Sequence, residues 1–137
     1  MSKLTLYDSE YITVEYWEDK KLIYHVVHQP MSGQLEMFKE ALNIGTEALQ
    51  KYQVNKWLSD NRKNDQFTQA GKEWFDEWQP RTMKAGWKYW ATIVPESLAA
   101  AGTLMPIMEI LYNLGLRMMV FTDMEQAIAW LDKMNDA

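Results

Sequence analysis

The chain has 137 residues, a formal net charge of −5 and no cysteine. This length fits one domain whose single core can be stable without a bound metal or a disulfide. The absence of cysteine excludes a disulfide framework, thiol catalysis and thiolate metal sites, and it fits the reducing cytoplasm, where we expect the protein to function. The negative charge, with no basic stripe to offset it, argues against binding to nucleic acid.

No segment predicts export or a membrane span. The first residues lack the apolar core of a signal peptide. The longest apolar stretch, residues 98–121, is interrupted by Gly102, Pro106 and Glu109, among others. We therefore interpret this stretch as a core helix followed by a core strand, and not as a transmembrane helix.

The first part of the chain is rich in β-branched and aromatic residues. Residues 4–7, 11–17 and 22–28 are predicted strands, and the polar residues 18–20 predict a tight connection between the last two. These patterns indicate an antiparallel hairpin at the start of the fold.

A long amphipathic helix is predicted next. Pro30 ends the third strand, and Ser32 is placed to cap the helix. Apolar side chains recur at spacings of three and four between Leu35 and Tyr52, so one face of this helix should pack on a sheet. Gly45 lies within that face, where alanine would favour the helix by about 1 kcal/mol, so we expect another backbone to approach closely there.

The remainder of the chain alternates helices and strands. The predicted strands are residues 56–60, 87–94 and 116–121. The predicted helices are residues 68–79, 103–115 and 124–134, and residues 97–102 are either one helical turn or an irregular crossing. Pro80 breaks or restarts the first helix, whose end Gly86 suits, and Thr103 caps the second, which Gly115 ends. This alternation predicts βαβ units, in which consecutive strands are parallel neighbours.

We therefore predict one α/β domain over residues 1–137, with a single mixed sheet. An N-terminal antiparallel hairpin leads into parallel βαβ strands, and helices pack on the sheet. The predicted core includes Leu42, Leu58, Ile93, Val120 and Leu131. The polar loop after residues 56–60 should lie at the carboxyl edge of the parallel strands, where ligands and partners usually bind.

The order of elements and two short motifs resemble a known family. The central strand ends in Asp60 with Arg62 two residues later, and residues 120–131 read VFTDMEQAIAWL. These features are similar to the SpoIIAA-like branch of the STAS superfamily, and the resemblance covers nearly the whole chain. It implies a STAS-type fold and a small regulatory or ligand-binding module.

The loop after the central strand departs from the pattern of that superfamily. Its anti-sigma-factor antagonists carry a phosphorylated serine at this place, in an Asp-Ser-Ser-Gly-like context. Here residues 60–68 read DNRKNDQFT, with neither serine nor glycine. The resemblance therefore does not extend to that phosphorylation switch.

The same loop supplies the first candidate site. Its cations, beside the amino end of a helix, can hold a carboxylate, a phosphate or a protein partner. The candidate residues are Asp60, Asn61, Arg62, Lys63 and Thr68. The alternative is a solvated turn in which Asp60 pairs with Arg62 or Arg81. In such a turn Asp65 or Thr68 would cap the helix.

The seven tryptophans are the second unusual feature. Trp74, Trp78 and Trp87 fall on elements that should pack together, so they can line a pocket for an apolar small molecule. The alternative, which we favour, makes them core or dimer-interface residues, because tryptophan has a large apolar surface. With ten methionines, these aromatics exceed what one small core obviously needs, so we predict a homodimer.

No catalytic or metal-binding pattern is visible. His25 and His28 are the only histidines, and residues three apart on a strand point to opposite faces, so the two cannot chelate one metal ion together. We predict no metal site, no cofactor and no catalysis, and an enzyme that uses Asp60 as acid or base ranks third.

Two hypotheses remain. The first is a non-enzymatic regulatory or protein-binding module that acts through the loop edge, as the family resemblance implies. The second is a carrier or sensor of a small molecule or lipid, with a pocket beside the tryptophans. A filled core with an exposed apolar patch would favour the first, and an enclosed apolar cavity would favour the second.

Overall fold

A computed structural model of the protein describes residues 2–65 and 68–134, which form one mixed sheet with helices packed on it. The strands are β1 (Lys3–Asp8), β2 (Ile12–Trp17), β3 (Leu22–Val27), β4 (Lys56–Asp60), β5 (Tyr89–Ile93) and β6 (Arg117–Phe121). The helices are α1 (Leu35–Tyr52), α2 (Gln69–Lys84), α3 (Glu96–Ala101), α4 (Met105–Leu114) and α5 (Met124–Lys133). The predicted α/β fold class is confirmed.

The strands lie side by side in the order in which they occur in the chain. β1, β2 and β3 pair antiparallel, and β3, β4, β5 and β6 pair parallel. The prediction that β4, β5 and β6 are parallel neighbours is confirmed, and the helical crossover between each pair explains it. β4 lies between β3 and β5, so its loop emerges near the middle of the sheet.

Two hydrophobic layers cover the sheet. Because side chains alternate along a strand, Trp57 of β4 packs in the layer that contains residues of α1, α2 and α4, whereas Leu58 packs in the layer under α5. The predicted core residues that are buried are Leu42, Leu58, Ile93 and Leu131. Val120 is only half-buried, so its prediction as a core residue is wrong. The reason is that β6 is the last strand of the sheet and has a neighbour on one side only.

Two predicted helix caps are wrong. α1 begins after Gln34 without a side-chain cap, because the Ser32 hydroxyl donates a hydrogen bond to the Asp65 carboxylate instead. α4 begins after Leu104, also without a side-chain cap, so Thr103 lies one residue too early. Both helices therefore begin later in the chain than the capping pattern predicts.

α2 continues through Pro80 to Lys84, which contradicts the predicted break. A proline inside a helix removes one backbone hydrogen bond and costs about 3 kcal/mol. The residues around it are held by tertiary packing, since Trp78 and Thr82 are both buried. Packing of one helix face therefore outweighs the local preference of Pro80.

Gly45 of α1 packs against the indole ring of Trp57. A Cβ atom built on Gly45 would overlap Cη2 of Trp57 and lie 2.9 Å from its Cζ2. A close approach at Gly45 is observed, but the prediction that another backbone makes it is wrong, because the neighbour is the Trp57 side chain.

We expect Gly45→Ala to lower the free energy of unfolding by about 1–3 kcal/mol, because overpacking against Trp57 outweighs the gain in helix propensity. Urea denaturation measures this loss. In a Trp57→Phe background, where the ring is smaller, the same change should be neutral or stabilising. An equal loss in both backgrounds would show that the contact is not its cause.

Candidate functional site

The loop after β4 begins with a bidentate ion pair. Arg62 Nε donates to Asp60 Oδ1 at 3.0 Å, and Arg62 Nη2 donates to Oδ2 at 2.7 Å. The Asp60 side chain is 9% exposed, whereas that of Arg62 is 46% exposed. Burial alone would raise the pKa of Asp60, but the hydrogen bonds from Arg62 outweigh it and hold the pKa below its usual value. Asp60 therefore stays ionised, with its two oxygens engaged by Arg62.

We expect Arg62→Ala to lower the free energy of unfolding by roughly 1–2 kcal/mol, since it leaves the poorly exposed Asp60 carboxylate without its partner. Thermal and urea denaturation at pH 7 measure the change. The control is Lys20→Ala, because Lys20 and Asp132 form an ion pair that is exposed on both sides, and its loss should cost less than 1 kcal/mol. Equal effects of the two substitutions would mean that the buried carboxylate plays no special part.

The other loop residues serve mainly to shape the loop. Asp65 Oδ1 accepts the Met31 backbone N–H at 2.7 Å, which ties the loop to the segment before α1. Thr68 caps α2, because its side chain accepts the Gly71 N–H at 3.1 Å, as the turn interpretation predicted. Lys63 is exposed. Residues 66 and 67 lie outside the described residues.

Asn61 belongs to a buried network centred on His25. Trp57 Nε1 donates to His25 Nδ1 at 3.0 Å, so the proton of the neutral ring sits on Nε2. His25 Nε2 then donates to Asn61 Oδ1 at 3.0 Å, and Asn61 Nδ2 donates to Thr92 Oγ1 at 3.1 Å. Burial lowers the pKa of His25 to about 4, despite the opposing effect of the hydrogen bond to Asn61. The network therefore holds a neutral imidazole between β3, β4 and β5.

Ser59 also adjoins His25, a grouping that the sequence analysis missed. The parallel register of β3 and β4 places His25 opposite Ser59, and their side chains lie 3.4 Å apart. Ser59 Oγ accepts the Trp90 Nε1–H at 2.9 Å and is buried. Because Nδ1 of His25 already accepts the proton of Trp57, it has no free lone pair for Ser59. In this geometry the grouping holds strands together and does not present an activated nucleophile.

The three candidate tryptophans come together in the core. Trp78 and Trp87 are buried and Trp74 is half-buried. The Trp78 ring centre lies 5.6 Å from that of Trp74, 5.1 Å from Trp87 and 5.4 Å from Trp57. Rings at these separations are in contact, so they fill the space between α2 and the sheet. For Trp78 and Trp87 the structure agrees with the core interpretation.

An open concavity of about 800 Å³ lies on the α5 side of β1, β2 and β3. Trp17 and Tyr24 contribute aromatic rings whose centres are 4.7 Å apart, and Met124 and Ile128 of α5 line one wall. Burial, aided by the charge of Asp60, raises the pKa of Tyr24 to about 12, so its hydroxyl stays neutral. None of the three candidate tryptophans lines this concavity.

The surface of α4 is unusually apolar. Leu111 is the one residue of α4 that is buried, so the interpretation of this stretch as a core helix is wrong for α4. α4 packs on β6, the last strand of the sheet, and only the side of α4 that faces the sheet is in contact with other residues. Ile107, Ile110 and Leu114, which we call the α4 ridge, are 41%, 60% and 58% exposed. Their spacing of three and four places them on one side of the helix.

A groove of about 510 Å³ runs along the other side of α4. Met105, Met108 and Tyr112 line it from α4, Met119 lines it from β6, and Trp130 lines it from α5. We call this the rim groove. It is separate from the α4 ridge, so the rim of the sheet carries two apolar surfaces.

No protein-family model, curated protein sequence or solved structure matches the chain. Within residues 2–65 and 68–134, no three side chains of histidine, aspartate or glutamate are grouped closely enough to hold a metal ion. Over the same residues, no helix is both long enough and apolar enough to cross a membrane.

Proposed function

We propose that the protein is a non-enzymatic, regulatory protein-binding module of the SpoIIAA-like type, located in the cytoplasm. The observation that carries the proposal is the contrast between a core filled by tryptophans and an apolar helix surface left open to solvent. Contiguous apolar side chains on a soluble domain usually mark a place where another protein docks.

The proposed docking surface is the α4 ridge, and its occupant is an apolar helix or loop of a different protein. Ile107, Ile110 and Leu114 present aliphatic side chains without a charged residue among them. A partner that covers them would remove apolar surface from water at about 25 cal/mol per Å². We therefore place the proposed interface on α4 and not at the loop after β4, because Asp60 and Arg62 of that loop already form an ion pair with each other.

The same contacts support the absence of catalysis in this proposal. A general base needs an accessible lone pair within hydrogen-bond reach of a substrate, and the Asp60 side chain is only 9% exposed. Asp60 is engaged by Arg62, and both ring nitrogens of His25 have partners in the core. A turnover assay in which Asp60→Asn abolishes activity without unfolding the protein would overturn this part of the proposal.

The test begins with proximity labelling in the source cell, followed by purification of each labelled protein and titration calorimetry with the pure chain. Ile110→Glu should weaken such a complex at least tenfold, because it buries a charge at the centre of the ridge. Leu4→Glu is the matched control, since Leu4 is equally apolar, is 50% exposed and lies on β1. A complex that survives Ile110→Glu but is lost with Arg62→Ala would return the interface to the loop.

A second candidate function is a carrier or sensor of an amphipathic small molecule or lipid. The observation that favours it is the open concavity above Trp17 and Tyr24, where these rings and Met124 lie beside charged side chains such as Lys3, Glu15 and Lys20. Native mass spectrometry of protein purified from its source tests it, because a retained ligand adds a fixed mass to the chain. Loss of that added mass in Tyr24→Ala, and not in Trp74→Ala, would place the ligand in the concavity.

We also propose that the module forms a homodimer. The apolar surplus of the sequence is placed partly at the rim of the sheet, where methionine and aromatic side chains are open to solvent. Sedimentation at tens of micromolar tests the subunit count. A monomer under those conditions would count against the dimer but not against the binding of another protein by the α4 ridge.

A further inference from the structure

The two edges of the sheet differ in how well they are protected against pairing. β1 carries a register irregularity between Thr5 and Tyr7, and the charged Lys3 and Asp8 lie at its two ends. Bulges and charges of this kind discourage another strand from adding to an edge. β6 pairs with β5 in a regular register and carries one charged residue, Arg117. β6 is therefore the more receptive edge.

The backbone of β6 offers hydrogen-bonding groups to a further strand. Arg117 N–H donates to the Lys88 carbonyl at 2.9 Å, and the Phe121 carbonyl accepts from Val94 N–H at 2.9 Å. Because backbone groups alternate in direction along a strand, Met118 and Val120 direct their N–H and C=O groups away from β5. No strand lies beyond β6 within the described residues.

Methionine and aromatic side chains flank this edge, together with the polar Glu109, Asn113 and Arg117. Met105 and Tyr112 of α4 line the rim groove on one face of the sheet. Met119 of β6, whose side chain points to the face opposite that of Met118, lines the groove with Trp130 of α5 on the other face. Methionine and aromatic residues are enriched in the centres of protein interfaces. An incoming strand would therefore gain backbone hydrogen bonds and apolar contacts together.

We propose that the occupant of this edge is a second copy of the chain, whose β6 pairs antiparallel with the first around a two-fold axis at Met119. This rests on the proposed homodimer and specifies its interface. The result is one continuous sheet across two subunits, with α4 beside α4 on one face and Trp130 beside Trp130 on the other.

Self-complementarity is the reason to favour a second copy over a strand of another protein. An axis at Met119 places Met118 opposite Val120 of the second copy, so the outward-directed backbone groups of both strands meet in hydrogen-bonded pairs. In the same register Arg117 comes opposite Phe121 of the second copy, where a guanidinium can lie over an aromatic ring. One strand thus supplies both halves of the interface.

Cysteine cross-linking tests the register, because the chain has no cysteine of its own. Met119 faces itself across the axis in a non-hydrogen-bonded pair, with Cα atoms about 4.5 Å apart, which is within disulfide range. Met119→Cys should therefore form a covalent dimer under mild oxidation. Arg117→Cys is the matched control on the same strand and face, since its two copies would lie roughly 13 Å apart and should not cross-link.

Sedimentation of the Met119→Glu variant tests whether the β6 edge is the dimer interface. Two glutamates would meet at the axis, so the dimer should dissociate at least tenfold more readily, while Leu4→Glu on the β1 edge should leave it unchanged. Circular dichroism confirms that each variant is folded. Efficient cross-linking of Arg117→Cys, or a dimer that survives Met119→Glu, would overturn the proposed β6 interface but leave the homodimer intact.

A monomeric wild type would overturn both the β6 interface and the homodimer. If the β6 edge of the wild type paired only with a strand of another protein, the proposal that a second copy occupies this edge would be wrong.

Discussion

Replacing Leu58 with alanine should lower the free energy of unfolding by about 2–5 kcal/mol. Leu58 is fully buried in β4 and packs with Leu22, Ala91 and Leu131 under α5. β3 and β5 hold the β4 backbone on both sides, so the surroundings cannot collapse easily into the space that the side chain leaves. Chemical denaturation at pH 7 measures the loss, and an unchanged m value would show that the unfolded state is unaffected.

Leu4→Ala provides the same chemical change at an edge of the sheet. Leu4 lies on β1 and is half-exposed, so its truncation should change the free energy of unfolding by no more than about 0.5 kcal/mol. If Leu58→Ala cost less than about 1 kcal/mol, β4 could not be the central strand. Every site assignment that depends on its loop would then need revision.

The central position of β4 was predictable because the signals are local. Residues 56–60 form a short segment between two helical patterns, and each helix returns the chain to the next parallel strand. The pairing of Asp60 with Arg62 was predictable for the same reason, since the two residues are only two positions apart. Patterns of this kind depend only on residues that are close together in the sequence.

The His25 network could not be predicted from local patterns. Ser59 and Asn61 follow His25 by more than thirty residues, and only the register of β3 against β4 brings them together. A register shift of one residue would turn His25 to the opposite face. The sequence predicts parallel neighbours only among β4, β5 and β6, so it determines neither that β3 pairs with β4 nor which of their residues face each other.

The exposure of α4 to solvent could not be predicted from the sequence either. Its residues are as apolar as those of a buried helix, which is why the sequence predicts a core helix within residues 98–121. Whether such a helix is covered depends on what lies beyond the last strand, and β6 is the rim of the sheet. An apolar pattern predicts that a surface needs a partner, but it does not say whether the partner is in the same chain.

Acidification should destabilise the protein through His25. The ring has a pKa of about 4 in the folded chain, because burial disfavours the charged form, whereas a histidine in an unfolded chain has a pKa of about 6.5. Between these two values the unfolded state binds more protons than the folded state, so stability rises with pH in this window. The stability that the neutral ring provides is complete above about pH 6.5 and is lost as the pH falls towards 4.

The loss between pH 7 and pH 4.5 should be about 2 kcal/mol, as measured by the urea midpoint at each pH. His25→Asn removes the titrating group, so its unfolding free energy should change much less over the same range, whatever its absolute stability. His28→Gln is the control for the loss of a histidine as such, since His28 is exposed and its Nε2 forms a hydrogen bond with the Thr13 hydroxyl just after the end of β3. If His28→Gln flattened the profile and His25→Asn did not, the buried imidazole would not be the source of the acid sensitivity.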